Sequence, residues 1–353
     1  MKRLLALMIC GLMLTGCYEE NSLRVGVGAP NSDFYKYTVK LNEKLEKAGS
    51  DIRLKPIFTT DSDASVRLLN NGIIDLALIN SYALSTAITA VTKINPAYIA
   101  ESINEKNYEV INDGDEIAIY NSTVAGVFEE TLHAIVRADS PYQDISDLGE
   151  KTVVVGSYDH CSRAVSFGLL KDHGIKRAAR KLVVKTPHEA VEMFKNQQAE
   201  ALFLFDRIPS DLAKDVCNSM KVKFLPIEPE RLKIITKYEK YLSPTTIFPK
   251  QYRGQNEPVG AININILLQA HNGVADSKIE KLMNAMFDIS TDMDDSEALE
   301  TEKAELRYAT EPSIKDLEFH SGAFNFYKKY GLNVKETQNS SPLFDVHIVA
   351  PQD

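Results

Sequence analysis

Short β-branched runs alternate with helical patterns along most of the chain, and this alternation restricts the fold more than any other feature. Leu23-Arg24-Val25-Gly26-Val27 is strand-like, and the apolar spacing of Phe34, Thr38, Leu41 and Leu45 predicts a helical face after it. Asp63 to Asn71 reads as a helix with Val66 and Leu69 inward and Gly72 as its stop. Ile74 to Ile79 is the next buried strand. Thr131 to Arg137 and Lys151 to Val155 are two more, with a turn at Asp139-Ser140-Pro141 between them. Ser162 to His173 reads as a helix ending at Gly174. Thr186-Pro187-His188-Glu189 is a capping box with proline in the first helical position, opening a helix to Asn196. Ala201–Phe205, Val222–Ile227 and Val259–Leu268 complete the strand-like runs, and Ile279, Leu282, Met283, Met286 and Phe287 form a helical core stripe. Units of this kind pair strands in parallel under helices on both faces, so the expected class is α/β.

At 353 residues the chain is long for one compact domain and suits two lobes. Hydrophobic residues at 44% and charged residues at 25% exclude disorder, collagen and coiled-coil arrays. The net charge of −9 becomes −11 if residues 1–16, carrying Lys2 and Arg3, are removed. Such a surface repels phosphate backbones, so nucleic acid is not an expected partner. With no CxxC or HExxH, neither a zinc ribbon nor a zincin is expected, and no metal or other cofactor.

The N-terminus carries a basic Met1-Lys2-Arg3 and an apolar run from Leu4 to Leu14, shorter than the roughly 20 residues a membrane-spanning helix needs. It reads as a secretory signal over residues 1–16. Leu14-Thr15-Gly16-Cys17 resembles the bacterial lipobox, which makes Cys17 the new N-terminus and the point of lipidation, with 17–22 as tether. Each acyl CH₂ buried in the membrane contributes about 0.8 kcal/mol to that anchor. The mature protein is therefore expected to be exported and tethered, facing the periplasm or the outer cell surface; Tyr18 leaves open which membrane carries it. Export places Cys161 and Cys217 in an oxidising space, where their spacing leaves both pairing and free thiols open. Residues 336–353 read as a tail, with Phe344, Val346, Ile348 and Val349 suited to a last short strand.

In open α/β sheets ligands sit beyond the carboxyl ends of strands, where helix N-termini present free N–H groups. Three segments suit that task. Gly26-Val27-Gly28-Ala29-Pro30-Asn31-Ser32-Asp33 leaves the first strand and starts a helix capped by Asn31 or Ser32. It lacks the third glycine of GxGxxG, which argues against a nicotinamide site. Thr59-Thr60-Asp61-Ser62-Asp63 precedes the second helix, and Gly156-Ser157-Tyr158-Asp159-His160-Cys161-Ser162-Arg163 opens the third.

Thr131 to Ser140, followed by Ile145-Ser146-Asp147-Leu148 and Val153-Val154-Val155-Gly156, resembles the central signature of the TAXI family, the periplasmic solute receptors of TRAP transporters. The similarity extends in order through Gly26 to Pro30, Gly72 to Leu78, Tyr252-Arg253-Gly254-Gln255 and His320-Ser321-Gly322-Ala323. The resemblance implies a type II periplasmic-binding-protein-like fold, with mixed, mainly parallel sheets in two hinged lobes. Residues 23–135 plus 259–335 would form one lobe and 136–258 the other, crossing near Ile135–Arg137 and Val259–Ala261. It implies a monomeric receptor that captures a small organic anion, amino acid or dicarboxylate-like, and delivers it to a TRAP-type permease. Glutamate and 2-oxoglutarate-like solutes are typical of the family.

The cleft positions implied by the resemblance are Asn31, Ser32, Tyr35, Ser62, Ser65, Asn80, Tyr82, His160, Ser162, Arg163, Asp206 and Arg207. Arg207 beside Asp206 also suits a simple ion pair. Where the family carries small residues, this chain has Asp159, His160 and Cys161, and Asn31 and Ser32 replace paired glycines, which narrows the cleft and alters its charge. A sensory lipoprotein signalling to a membrane kinase or envelope partner, and an ABC-type receptor, are the alternatives. Catalysis is not expected: Asp159, His160, Cys161 and Ser162 are adjacent, and neighbours on a strand-to-helix turn point apart.

Overall fold

The computed structural model describes residues 21–86, 120–159, 161–239, 241–287, 305–310 and 317–338. The signal segment, Cys17, His160 and the tail beyond 338 lie outside the described residues. In chain order the elements are β1 (Ser22–Gly26), α1 (Asp33–Lys47), β2 (Arg53–Ile57), α2 (Ser62–Asn70), β3 (Leu76–Asn80) and β4 (Asn121–Arg137). There follow β5 (Thr152–Gly156), α3 (Cys161–Asp172), β6 (Lys181–Lys185), α4 (Pro187–Lys195), β7 (Ala201–Asp206), α5 (Asp211–Ser219) and β8 (Val222–Phe224). The last are α6 (Pro229–Tyr238), β9 (Leu242–Ile247), β10 (Val259–His271), α7 (Asp276–Phe287), β11 (Glu318–Phe319), α8 (Ser321–Lys329) and β12 (Lys335–Glu336).

The strands run in the order β2-β1-β3-β10-β4-β7-β5-β6. The trio β2-β1-β3 and the trio β7-β5-β6 are each parallel, and the long antiparallel strands β10 and β4 lie between them. This is the mixed α/β fold that the alternation of patterns implies. Its two lobes have separate cores. Val25, Leu41, Leu69, Leu78, Leu268 and Met283 belong to the first, with helices α1, α2, α7 and α8 around it. In the second lobe the period-two alternation of the strands divides side chains between two faces. Val153 and Val155 face one core with Leu132 and Phe203, while Val154 faces the other with Ile135, Leu202 and Phe194.

Local rules account for most helices. The stripe Phe34, Thr38, Leu41 and Leu45 is the buried face of α1, each large apolar side chain contributing about 1.5–3 kcal/mol on full burial. Thr186 and Glu189 form the reciprocal capping box of α4, with Pro187 in its first turn. Asp75, inside the run that ends in β3, accepts the backbone N–H of Arg24 at 2.7 Å and its guanidinium Nε at 2.9 Å, which fixes β1 against the turn after α2.

The strands that pass between lobes change partners earlier in β4, and later in β10, than the expected crossings at 135–137 and 259–261. In β4, Thr131 pairs with Asn263 of β10 and with Asp206 of β7; the residues after it follow β7 to Val136, with β8 on the other side from Ile135 to Arg137. In β10, Val259 to Ile264 pair with β9 and Ile266 to Ala270 with β3. Both strands run on without a break in pattern and are buried along most of their length, so only the register marks where one lobe ends. Cys161 and Cys217 are free and buried, each in a different core of the second lobe, which settles the pairing left open by their spacing. Among the described residues no helix is long and apolar enough to cross a membrane.

Candidate functional site

A cleft of about 730 Å³ lies at the carboxyl ends of the strands. One wall comes from the first lobe: the β1–α1 loop (Gly28, Ala29, Asn31, Ser32), the first turns of α1 (Asp33, Phe34, Lys36, Tyr37, Lys40) and Asp61. The opposite wall comes from the β5–α3 loop (Ser157, Tyr158, Asp159), the start of α4 (Pro187, His188), and Phe205 to Pro209 with Asp211 and Leu212. Glu130 on β4 contributes from the central strand.

The first loop turns tightly because Gly28 and Asn31 both adopt a φ of 65°. Ser32 then caps α1: its hydroxyl accepts the Tyr35 N–H at 3.3 Å and donates to the Val27 carbonyl at 2.9 Å. The loop after β7 is held from beneath. The Ser210 N–H donates to the hydroxyl of Tyr252 at 2.9 Å, and that hydroxyl donates in turn to Nε2 of His133 at 2.6 Å. Nδ1 of His133 faces the carbonyls of Thr131 (2.9 Å) and Leu204 (3.3 Å), so it carries the ring proton. Burial pushes the His133 imidazole down to about 4, which keeps it neutral in this chain of donors.

Of the residues expected at the cleft, Asn31, Ser32, Asp206 and Arg207 line it. Ser62 and Asn80 meet Asp159 at its edge: the Ser62 hydroxyl accepts the Asn80 backbone and side-chain N–H groups at 3.2 and 3.1 Å, and donates to Asp159. Ser65 is buried and bonds Thr59 Oγ1 at 2.8 Å, a packing role at the head of α2. Tyr35 packs at a tilt against Phe58, ring centroids 5.5 Å apart. Tyr82 packs edge-on against Tyr241 of the other lobe at 4.7 Å. Ser162 is buried and donates to Ser157 Oγ at 2.6 Å. Arg163 is exposed and outside the lining, because α3 turns Cys161, Ser162, Val165 and Ser166 inward and leaves Arg163 on its solvent side. Asp206 and Arg207 do not pair through their side chains. Asp206 accepts the Ser210 hydroxyl and the Arg207 backbone N–H at 2.8 Å, while the Arg207 guanidinium lies 5.2 Å from the centre of the Phe128 ring.

Glu130, Lys36, Lys40 and His188 are cleft residues that sequence reasoning did not place there. Glu130 had no motif to announce it: it sits inside a strand, opposite Ile264. Burial, then the neighbouring charges of Asp159, Asp206 and Asp33, hold its carboxyl well above the usual carboxylate range. The other carboxylates are engaged. Asp61 caps α2 through the Ala64 N–H, Asp33 pairs with Lys36, and Asp211 pairs with Lys214. Among the described residues no carboxylate lies within ion-pair distance of Arg207 or Lys40. Arg207 and Lys40 are thus cleft cations without an ion pair among the described residues, while Asp61, Asp159 and Asp206 are held by neutral donors. Cys161 is buried in a core, and burial raises its thiol well above its ordinary value, the reverse of an activated nucleophile. No group of three or more metal-ligating side chains occurs among the described residues.

The model of the NMT1-like family matches residues 118–331, from the entry into β4 to the end of α8. The chain belongs to the NMT1-like family. No curated protein matches the NMT1-like chain. Among solved structures it is similar to the periplasmic aliphatic sulphonate binding protein SsuA from Escherichia coli (13% identity, 89% of this chain and 75% of that one, TM-score 0.44). It is also similar to the alkanesulfonate-binding SsuA from Xanthomonas axonopodis pv. citri (12%, 80% and 78%, TM-score 0.42). A third is the arginine-bound, truncated ArgBP from T. maritima (13%, 77% and 97%, TM-score 0.41).

Proposed function

We propose that this NMT1-like chain is an exported solute-binding receptor, anchored by lipid at Cys17, that holds a small organic anion between its lobes. The observation that carries the reading is a cleft of about 730 Å³ walled by both lobes, in which Arg207 and Lys40 form no ion pair with a carboxylate among the described residues. A solute carboxylate supplies the missing partner for Arg207. Burial holds the Glu130 carboxyl well above the usual carboxylate range, which favours the protonated form that donates a hydrogen bond to the anion. Amino-acid and dicarboxylate-like solutes fit this pairing, with Asn31, Ser32 and Asp206 as further contacts.

Binding across the cleft favours the closed arrangement only by the difference in affinity between open and closed states, about 5.5 kcal/mol to move a population from 1:99 to 99:1. Delivery to a TRAP-type permease is part of the proposal and is supported by the sequence resemblance alone. A receptor in place of an enzyme is supported by the buried thiol of Cys161 and by its lack of an activating charge.

Thermal-shift titration of the mature protein with amino acids and dicarboxylates tests the proposal, alongside mass spectrometry of molecules released from the purified protein. A solute that stabilises the wild type should bind Arg207→Ala weaker by about 1.5–3 kcal/mol, the range for hydrogen bonds to charged groups. Equal affinity in Arg207→Ala removes the guanidinium from the site, and no stabilisation by any solute removes the receptor reading itself.

A further inference from the structure

We propose that Asp159 latches the two lobes together in the absence of solute, by placing its own carboxylate at the N-terminus of α2. Asp159 belongs to the β5–α3 loop of the second lobe, whereas Ser62 opens α2 in the first. Oδ2 of Asp159 accepts both the backbone N–H of Ser62 at 3.0 Å and its hydroxyl at 2.5 Å. Oδ1 accepts the N–H of Cys161 in its own lobe at 3.1 Å. One carboxylate thus shares donors from both sides of the cleft, through charge-assisted bonds, beside the positive end of a helix dipole.

Both ends of the bridge are fixed before they meet. Asp61 satisfies the Ala64 N–H as the cap of α2, which leaves the Ser62 N–H for Asp159. Ser62 is 2% exposed and its oxygen is held by the two N–H groups from Asn80. On the other side the Asp159 N–H donates to Ser157 Oγ at 3.0 Å, and Ser157 is held by Ser162. A second contact between the lobes supports the same arrangement, where the Ser81 hydroxyl donates to the Tyr241 carbonyl at 2.7 Å. The latch therefore occupies the donors of α2 and leaves Arg207 and Lys40 to the solute, a division that rests on the receptor reading.

The test needs no solute, so its outcome is independent of whether one is ever found. Small-angle scattering and hydrogen exchange are measured on solute-free wild type, Asp159→Ala and Ser62→Ala, each checked for a cooperative melt. The expected result is a larger radius of gyration for Asp159→Ala. Exchange should also be at least about tenfold faster in peptides covering 61–65, the scale of one lost hydrogen bond to a charged group. Ser62→Ala, which keeps the backbone donor, should fall between Asp159→Ala and the wild type. If Asp159→Ala does not fold, Asp159→Asn, which keeps an acceptor without the charge, should still speed exchange over 61–65. Scattering and exchange unchanged from the wild type in the folded variants overturn the latch. A solute that binds normally in that case leaves the receptor reading intact.

Discussion

The hydroxyl of Thr131 donates to Oδ1 of Asn263 at 2.7 Å, where these two register partners join β4 to β10 at the passage between the lobes. Both residues are buried, and the Asn263 amide also donates to the carboxylate of Glu129. The passage is thus a polar network set inside an apolar sheet, and each member depends on the others for its partner. Thr131→Val keeps the shape and leaves the Asn263 oxygen without its donor. Urea unfolding should show a loss of about 1–3 kcal/mol with an unchanged m-value. A change within about 0.5 kcal/mol would mean that the bond contributes nothing net.

His133 should make the protein acid-labile in a defined window. The unfolded imidazole takes up its proton near 6.5 and the folded one only near about 4. The folded state therefore binds fewer protons between these values, and stability present above 6.5 is lost as pH falls toward about 4. The loss is on the order of 3 kcal/mol at the acid end. Melting temperatures at pH 7.5 and 5 give the slope. Tyr252→Phe removes the hydroxyl that donates to Nε2 and should flatten it, and an unaltered slope would place the acid sensitivity elsewhere.

Glu130 should act with the opposite sign. Its folded carboxyl is raised by burial and then by Asp159, Asp206 and Asp33, so the unfolded chain ionises first as pH rises above the ordinary carboxylate range. Stability from this group is complete below that range and declines above it. Glu130→Gln should therefore gain thermal stability over the wild type at pH 8 relative to pH 5. A difference that does not depend on pH would count against the raised carboxyl.

Gly260 on β10 lies against the loop before α6, where its carbonyl accepts the Ile227 N–H at 2.9 Å. A Cβ added there would stand 2.4 Å from the Ile227 carbonyl oxygen, so backbone must move. Gly260→Ala should cost about 1–3 kcal/mol by denaturant titration, the range for overpacking. Gly49, whose Cβ would meet nothing within 4 Å, makes a contrast in space although its φ of 65° still strains any other residue.

What was legible in the sequence follows the range of the interactions involved. The face of α1, the capping box at Thr186 and the stop at Gly72 rest on contacts within a few residues, and the structure repeats them nearly residue for residue. Edge strands β2 and β6 escaped because Arg53, Lys55, Lys181 and Lys185 blunt the apolar pattern, as befits strands with one open side. The first half of β4, beginning Asn121-Ser122-Thr123, is polar in type yet buried between neighbours that no local rule could supply. The loop of Asn31 and Ser32 was legible because loops after strands face the cleft, Asp206 and Arg207 entered through the family resemblance, and Arg163 shares such a loop and still turns to solvent with its helix.

By itself the sequence determined an α/β chain with loops and helix starts after its strands, since periodicity, caps and turns are properties of neighbours along the backbone. Only the tertiary structure decided which of those loops oppose one another. Bringing Ser62 to Asp159 and leaving Arg207 without a carboxylate both depend on how β4 and β10 carry one lobe against the other. Charge compensation across a cleft is a matter of distances through space, and residues far apart in the chain acquire those distances only when the sheet is assembled.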